Sequence, residues 1–208
     1  MISAVDVESG EYTPFDEAVG VSNLGTVVRA SASIPFAFEP THFEGHWYMD
    51  GGTVWNVNLK DAIDKCVADG YDEEHVVLDV AITEFINMKQ LESTGKTYEN
   101  FSRRRQIRKY YKTMNDVAEF ARSRPNVNYR HFFKPSEELG GWRQELDFRN
   151  ETTWRFQEIG RADAKAALES ALEAPEQAPE HSFAKVMEAH YNHVKEQLSH
   201  LTAYFTQE

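Results

Sequence analysis

The sequence predicts an α/β domain with a largely parallel sheet. Two observations carry this reading: near-continuous apolar runs of strand length, Ile2 to Val7 and His75 to Thr83, and segments of helical period that alternate with the strands along the chain. Its 208 residues correspond to one compact domain with an appendage, at about 150 residues per domain. The helix closing the chain supplies that appendage.

Ile2 to Val7 reads as a strand, and the turn Glu8-Ser9-Gly10-Glu11 hands over to a second extended stretch, Tyr12 to Phe15, as in a hairpin. Asn23 caps a short helix through Leu24, Val27 and Val28, which ends before Pro35 because the residue ahead of a proline avoids helical geometry. Asn58 precedes a helix with Leu59, Ala62, Ile63, Cys66 and Val67 at helical spacing, closed by Gly70. His75 to Thr83 reads as a buried strand, and Phe101 to Arg122 as a long helix with Ile107, Tyr110, Tyr111, Met114, Val117 and Ala121 along one side. Tyr129 to Phe133 is a further strand, and a strand-like Leu146 to Phe148 leads into a helix from Thr152 to Ala174. Pro175 and Pro179 break the chain. After them Phe183, Met187, Tyr191, Val194, Leu198, Leu201 and Phe205 recur at steps of three or four, an amphipathic helix with a narrow apolar seam suited to its own domain or to a second copy. The chain thus divides into residues 1–172, a linker at 173–181 and a C-terminal helix at 182–208.

Composition excludes several classes. Apolar residues make up 41% and no run approaches the roughly 18 that a membrane span needs. The 13 Phe, 9 Tyr and 4 Trp are too many for a disordered chain. A single cysteine, Cys66, excludes a disulfide framework and a cysteine-based metal cluster. The start, MISAVDVESGEY, has neither a basic nor a long apolar region, so no secretory signal is visible. The net charge of -12 would repel nucleic acid over most of the surface, leaving only residues 103–149, with 12 basic and 6 acidic side chains, of opposite sign. No nucleic-acid partner is expected.

The densest chemical signal runs from Arg29 to Leu59. Trp47-Tyr48-Met49 delivers Asp50 directly into Gly51-Gly52. An acid at a strand end, followed by two residues without Cβ, can face a cleft while the chain turns sharply and something approaches closely. Physics alone places a catalytic carboxylate here. Three such residues in isolation are more often an ordinary turn, since Asp and Gly dominate turns.

Their surroundings decide the matter. Ala30-Ser31-Ala32-Ser33-Ile34-Pro35, Phe38-Glu39-Pro40, Gly45, Tyr48, Asp50-Gly51-Gly52 and Asn56 follow one another in a pattern that resembles the patatin-like phospholipase family. SAVDVESGEY looks like the family strand ahead of this block, and Ile159 to Leu168 is similar to its last helix. The resemblance implies that residues 1–172 are the C-terminal half of a three-layer patatin-like domain. It implies a Ser-Asp dyad that cleaves lipid esters without histidine, with Asp50 as the acid, Gly51 and Gly52 as the active-site loop, and neither cofactor nor metal. The chemistry is sound, because a serine hydroxyl attacks only when a base takes its proton.

The serine belongs on a G-x-S-x-G elbow beside a Gly-rich oxyanion loop. The nearest match, Gly20-Val21-Ser22-Asn23-Leu24-Gly25, has one residue too many and no apolar strand leading into it. Ser31 and Ser33 occupy structural positions of the pattern. Asn58 stands where the family usually has proline, which alters the helix start only slightly because Asn is itself a good cap.

Weaker signals have ordinary readings. Arg103-Arg104-Arg105, Arg108 and Lys109 could attract an anionic membrane, yet no apolar edge is visible beside them, and a solvated helix face accounts for them. His190, His193 and His200 read as surface histidines rather than metal ligands. Trp142 and Trp154 could line a lipid groove, but core or domain-edge packing is the commoner place for tryptophan. Asn100-Phe101-Ser102 and Asn150-Glu151-Thr152 match the glycosylation triplet and carry little weight without a signal peptide.

Three functional readings follow. The first is part of a patatin-like serine acyl hydrolase acting on phospholipid or other lipid esters, paired with a chain or segment carrying the nucleophile. The second is an inactive patatin-like half kept for binding or assembly. The third pairs Asp50 with Glu44 or Glu39 in a glycoside hydrolase. The expected partners are a lipid substrate, a membrane surface, and self-association or the nucleophile-bearing chain; the expected location is cytoplasmic or peripheral to a membrane.

Overall fold

A computed structural model describes residues 1–84, 95–140, 144, 146–173 and 182–205. They form two compact units, Met1–Val76 and Val77–Glu208.

The first unit is built on a four-stranded antiparallel sheet. Its strands are β1 (Ile2–Asp6), β2 (Tyr12–Phe15), β3 (Thr41–Phe43) and β4 (His46–Asp50), in the order β2-β1-β4-β3. The hairpin is as expected, with Ile2 opposite Phe15 and Val5 opposite Tyr12. Helix α1 (Val21–Ser31) packs Val27 and Ala30 on the face carrying Ala4, Phe43 and Tyr48, with Ile2, Phe15 and Val19 at the margin. Phe15 meets Phe43 and Tyr48 edge-on at 5.9 and 5.3 Å between ring centres. Asn23 is not the cap of α1. Gly20 occupies that position, and Asn23 bonds back to the Val19 carbonyl from the first turn. Helix α2 (Leu59–Ala68) starts at Asn58 as expected, buries Leu59 and Ile63, and is followed by Gly70 in positive φ.

In the second unit β5 (Val77–Ala81) pairs in parallel with β6 (Asn128–Phe133). Helices α3 (Thr97–Ser123), α4 (Asn150–Glu173) and α5 (Phe183–Phe205) complete it. Val80, Met114, Val117, Val127, Phe132, Ala167, Phe183 and Val186 are its buried residues of apolar type nearest to complete enclosure.

The mixed α/β class holds, but the largely parallel sheet does not: among the described residues only β5 and β6 pair in parallel. The reason is connection length. Connections of two and five residues join β3 to β4 and β1 to β2, too short for the crossover a parallel pair needs. The run from His75 to Thr83 is not buried on both faces either. Val76, Val80 and Ile82 point inward, whereas Val77 is half exposed and Asp79 binds Arg130 of β6 in a two-pronged ion pair. Leu146 to Phe148 forms no strand. Asp147 there accepts from Arg149 and Thr152, which anchors the start of α4 and holds the Asp147 carboxyl well below the usual carboxylate range. Trp154 is exposed rather than packed, and Trp142 lies outside the described residues.

The seam of α5 is rotated from its expected position. Phe183, Val186 and His190 are buried, Met187 is half-buried and Tyr191 is exposed. The Tyr110 hydroxyl donates to His190 Nδ1 at 3.0 Å while His190 Nε2 donates to Asn115 Oδ1 at 3.0 Å. One turn on, Tyr111 and His193 are paired at 3.1 Å. The side chains of Leu198, Leu201 and Phe205 are outside the described residues.

Two tests follow from this packing. Ser33 Oγ donates to the Arg29 carbonyl at 2.8 Å and lies 3.0 Å from Thr41 Oγ1, joining the end of α1 to β3. Ser33→Ala leaves the Thr41 hydroxyl short of a partner and should lower the unfolding free energy by about 1–3 kcal/mol, read from the urea midpoint. Burial first, and then the charges of His193 and Arg122, lower the pKa of His190 below its usual 6.5. The unfolded chain therefore takes up the proton first, so stability is full above pH 6.5 and declines as pH falls below it. His190→Gln should flatten that decline in urea titrations at successive pH values.

Candidate active site

Asp50 is the last residue of β4, opposite Ala4 of β1. Its N–H donates to the Ser33 carbonyl at 3.0 Å, so the Ala-Ser-Ala-Ser-Ile-Pro segment is what fixes its backbone. The half-buried carboxylate accepts the Gly52 N–H at 2.6 Å and caps the single 3-10 turn Gly51–Thr53. Gly51 is required by space, and a side chain at Gly52 would displace two neighbouring side-chain oxygens. A Cβ on Gly51 would stand 2.7 Å from the Ser3 carbonyl oxygen, and one on Gly52 would stand 2.8 Å from Asp50 Oδ1 and 2.9 Å from Asn56 Oδ1. Asp50, Gly51, Gly52 and Asn56 are thus gathered into one tight turn at the end of a strand.

Beside this turn is a polar network that sequence reasoning did not find. Ser3 of β1 projects to the sheet face opposite Ala4, since side chains alternate along a strand. There its hydroxyl accepts from Asn58 Nδ2, which also donates to Asp61 Oδ2 at 2.7 Å. Asn58 Oδ1 in turn accepts the Asp61 N–H at 3.1 Å. Burial pushes the Tyr12 phenol above its ordinary value; the Ser3 hydroxyl bond opposes this, while the negative charges of Asp61 and Asp50 add to it. Trp55 meets the Tyr12 ring edge-on at 4.9 Å. Two carboxylates, two hydroxyls and a carboxamide therefore converge on the end of β1. One signal was available: Asn58 with an acid three residues on is a capping-box spacing. Nothing local pointed to Ser3 or Tyr12.

Other candidates separate. Glu44 lies in the β3–β4 turn at the opposite end of β4 from Asp50, about 13 Å of strand away at roughly 3.3 Å per residue. That exceeds the carboxyl separations of about 5–9.5 Å that glycoside hydrolysis uses, and Glu39 is on the exposed stretch before β3. Ser22 is exposed in the first turn of α1, not on a strand-to-helix elbow. Among the described residues no three His, Cys, Asp or Glu side chains are grouped to hold a metal ion. No described helix is long and apolar enough to cross a membrane.

Residues 5–63 match the family model for Patatin-like phospholipase, a stretch running from β1 into α2 and through Asp50, Gly51 and Gly52. No curated protein matches the chain. This stretch is similar to the patatin-like phospholipase family.

The two glycines should respond differently to alanine. Gly51→Ala collides with backbone and is expected to destabilise the first unit by about 1–3 kcal/mol in urea denaturation. Gly52→Ala meets only side-chain oxygens, so the fold should survive with little change in urea midpoint. In that variant the Asp50 carboxylate must turn away, and its 13C chemical shift should move.

Proposed function

We propose that this chain carries the acid of a patatin-like serine acyl hydrolase: Asp50 is the base of a Ser-Asp dyad that cleaves phospholipid or other lipid esters, and Gly51 and Gly52 shape its loop. The observation that carries this is that the family match runs through a turn in which an acid is held at the strand end and the residue after it has no room for a side chain. The domain layout we infer has three layers. α1 covers the sheet face of Ala4 and Tyr48, and the head of α2 meets the opposite face at Ser3.

The reaction divides into two proton relays. Asp50 takes the proton of a serine Oγ as that oxygen attacks the ester carbonyl, and returns it to the departing alcohol. It then takes a proton from water as the water oxygen attacks the acyl carbonyl, and returns that proton to the serine Oγ as the acyl-serine bond breaks and the fatty acid leaves. The serine and the donors for the oxyanion come from outside these 208 residues, whose serines include no G-x-S-x-G. Asp50 suits the base because the Gly52 N–H occupies Oδ1 and sets the carboxylate plane before substrate arrives.

The purified chain should hydrolyse no generic ester, since an acid without nucleophile and oxyanion donors forms no acyl-enzyme. Reconstituted with a patatin-like segment that carries G-x-S-x-G, it should turn over a p-nitrophenyl ester and lose about 10²–10⁴ in kcat on Asp50→Asn. Turnover by the chain alone would reveal a serine nucleophile within it. Near-normal activity of the reconstituted Asp50→Asn enzyme would remove Asp50 from the role of base.

A further inference from the structure

The basic cluster of α3 has the apolar companion that the sequence alone did not reveal. Phe101 is 64% exposed, and Arg104, Arg105, Arg108 and Lys112, all exposed, follow it at three, four, seven and eleven residues. These offsets keep all five on one side of a helix. Tyr110, Met114 and Val117, which are buried, occupy the other side. From Phe101 to Lys112 there are six basic residues and no acidic one, in a chain whose net charge is -12. The row is about 16 Å long at 1.5 Å per residue. It ends where the same side of the helix turns to Asn115, Asp116 and Glu119.

Helix stability does not explain this arrangement. Arg104 and Arg108 are a like-charged pair four residues apart, which weakens an isolated helix, while Lys109 reaches toward the buried Glu84, at 3.9 Å. Five of the six also fall in the first half of α3, whereas cations favour the C-terminal end of a helix dipole. Self-repelling charge set around an exposed ring fits an external anionic surface with an apolar layer beneath its charged groups.

We propose that this side of α3 binds the surface of an anionic phospholipid membrane, with Arg104, Arg105, Arg108 and Lys112 on the headgroups and Phe101 reaching the acyl boundary. This goes beyond the Asp50 reading and does not require it. A lipid surface fits better than a nucleic-acid duplex, whose phosphates have charge for the arginines but whose stacked bases offer no apolar layer to a phenylalanine ring set at the end of the row.

Cosedimentation of the full chain with vesicles of phosphatidylcholine, alone or containing phosphatidylserine, tests the proposal. The chain should partition onto the anionic vesicles only, and less so as salt rises. Arg104→Gln combined with Arg108→Gln should weaken partition about 25-fold, about fivefold for each basic residue removed near an anionic surface. Phe101→Ser should weaken it further, and far-UV circular dichroism should show the helix content of each variant unchanged. Asp50→Asn should bind as the wild type does, so failure here and failure of the dyad are separate results. Equal partition onto neutral vesicles, or wild-type affinity in the double arginine variant, would overturn the proposal. So would capture of an RNA oligomer without any binding to vesicles.

Discussion

The close approach of β1 to the Asp50 turn is the constraint from which the first unit is organised. Ala4 pairs with Asp50, and the next residue of the turn passes so near the Ser3 carbonyl that no side chain fits there. Glycine at 51 is therefore a condition of the sheet as much as of the turn. The approach lets one short strand serve two faces. Ala4 lies in the apolar core with α1, while Ser3 reaches the polar network at the head of α2. Moving β1 by one residue would exchange those faces and put a hydroxyl among Val27, Ala30 and Tyr48. Register and site are thus a single structural decision.

Much of the fold was legible where the signal was local. The hairpin, the Asn58 cap with its Gly70 stop, and the long apolar side of α3 depend on residues within a turn or two of each other, and each appears as read. Strand direction was not legible, because alternation of helices and strands along the chain suits a crossover. It does not show that β1 to β4 are joined pairwise by short turns around α1. The apolar seam of α5 was misplaced for a different reason. A hydrophobic reading passes over histidine, yet Tyr110 and Asn115 satisfy both nitrogens of His190, and a ring so satisfied can be buried where a methionine was expected.

The candidate site shows the same division. Asp50, Gly51 and Gly52 are consecutive, and the small residues and proline that fix them lie within twenty positions, so their pattern survives in a linear reading. Ser3, Tyr12 and Asp61 become neighbours only through pairing of β1 with β2 and docking of α2, with Asn58 55 positions after Ser3. No periodicity or spacing rule connects them. What can be recovered in retrospect is the Asn58 to Asp61 spacing, which announces a helix start but not what else its side chains hold.

Asn58 also shows what a side-chain cap supplies at a helix start where a proline could equally stand. A proline before α2 would fix its own φ near -65° and stiffen the entry to the helix, but it carries no side-chain donor or acceptor. Asn58 has a φ of -85°, not far from what a proline ring would impose, and adds three hydrogen bonds: to the Asp61 N–H, to the Asp61 carboxylate and to Ser3. The carboxamide thus exchanges ring stiffness for ties to the first strand. Asp61 is only 9% exposed, and a carboxylate so enclosed would be costly without the donors that the Asn58 side chain and Lys60 bring to it. The same side chain that caps α2 therefore makes a second acid tolerable beside the Asp50 turn, and the Tyr12 phenol feels both charges.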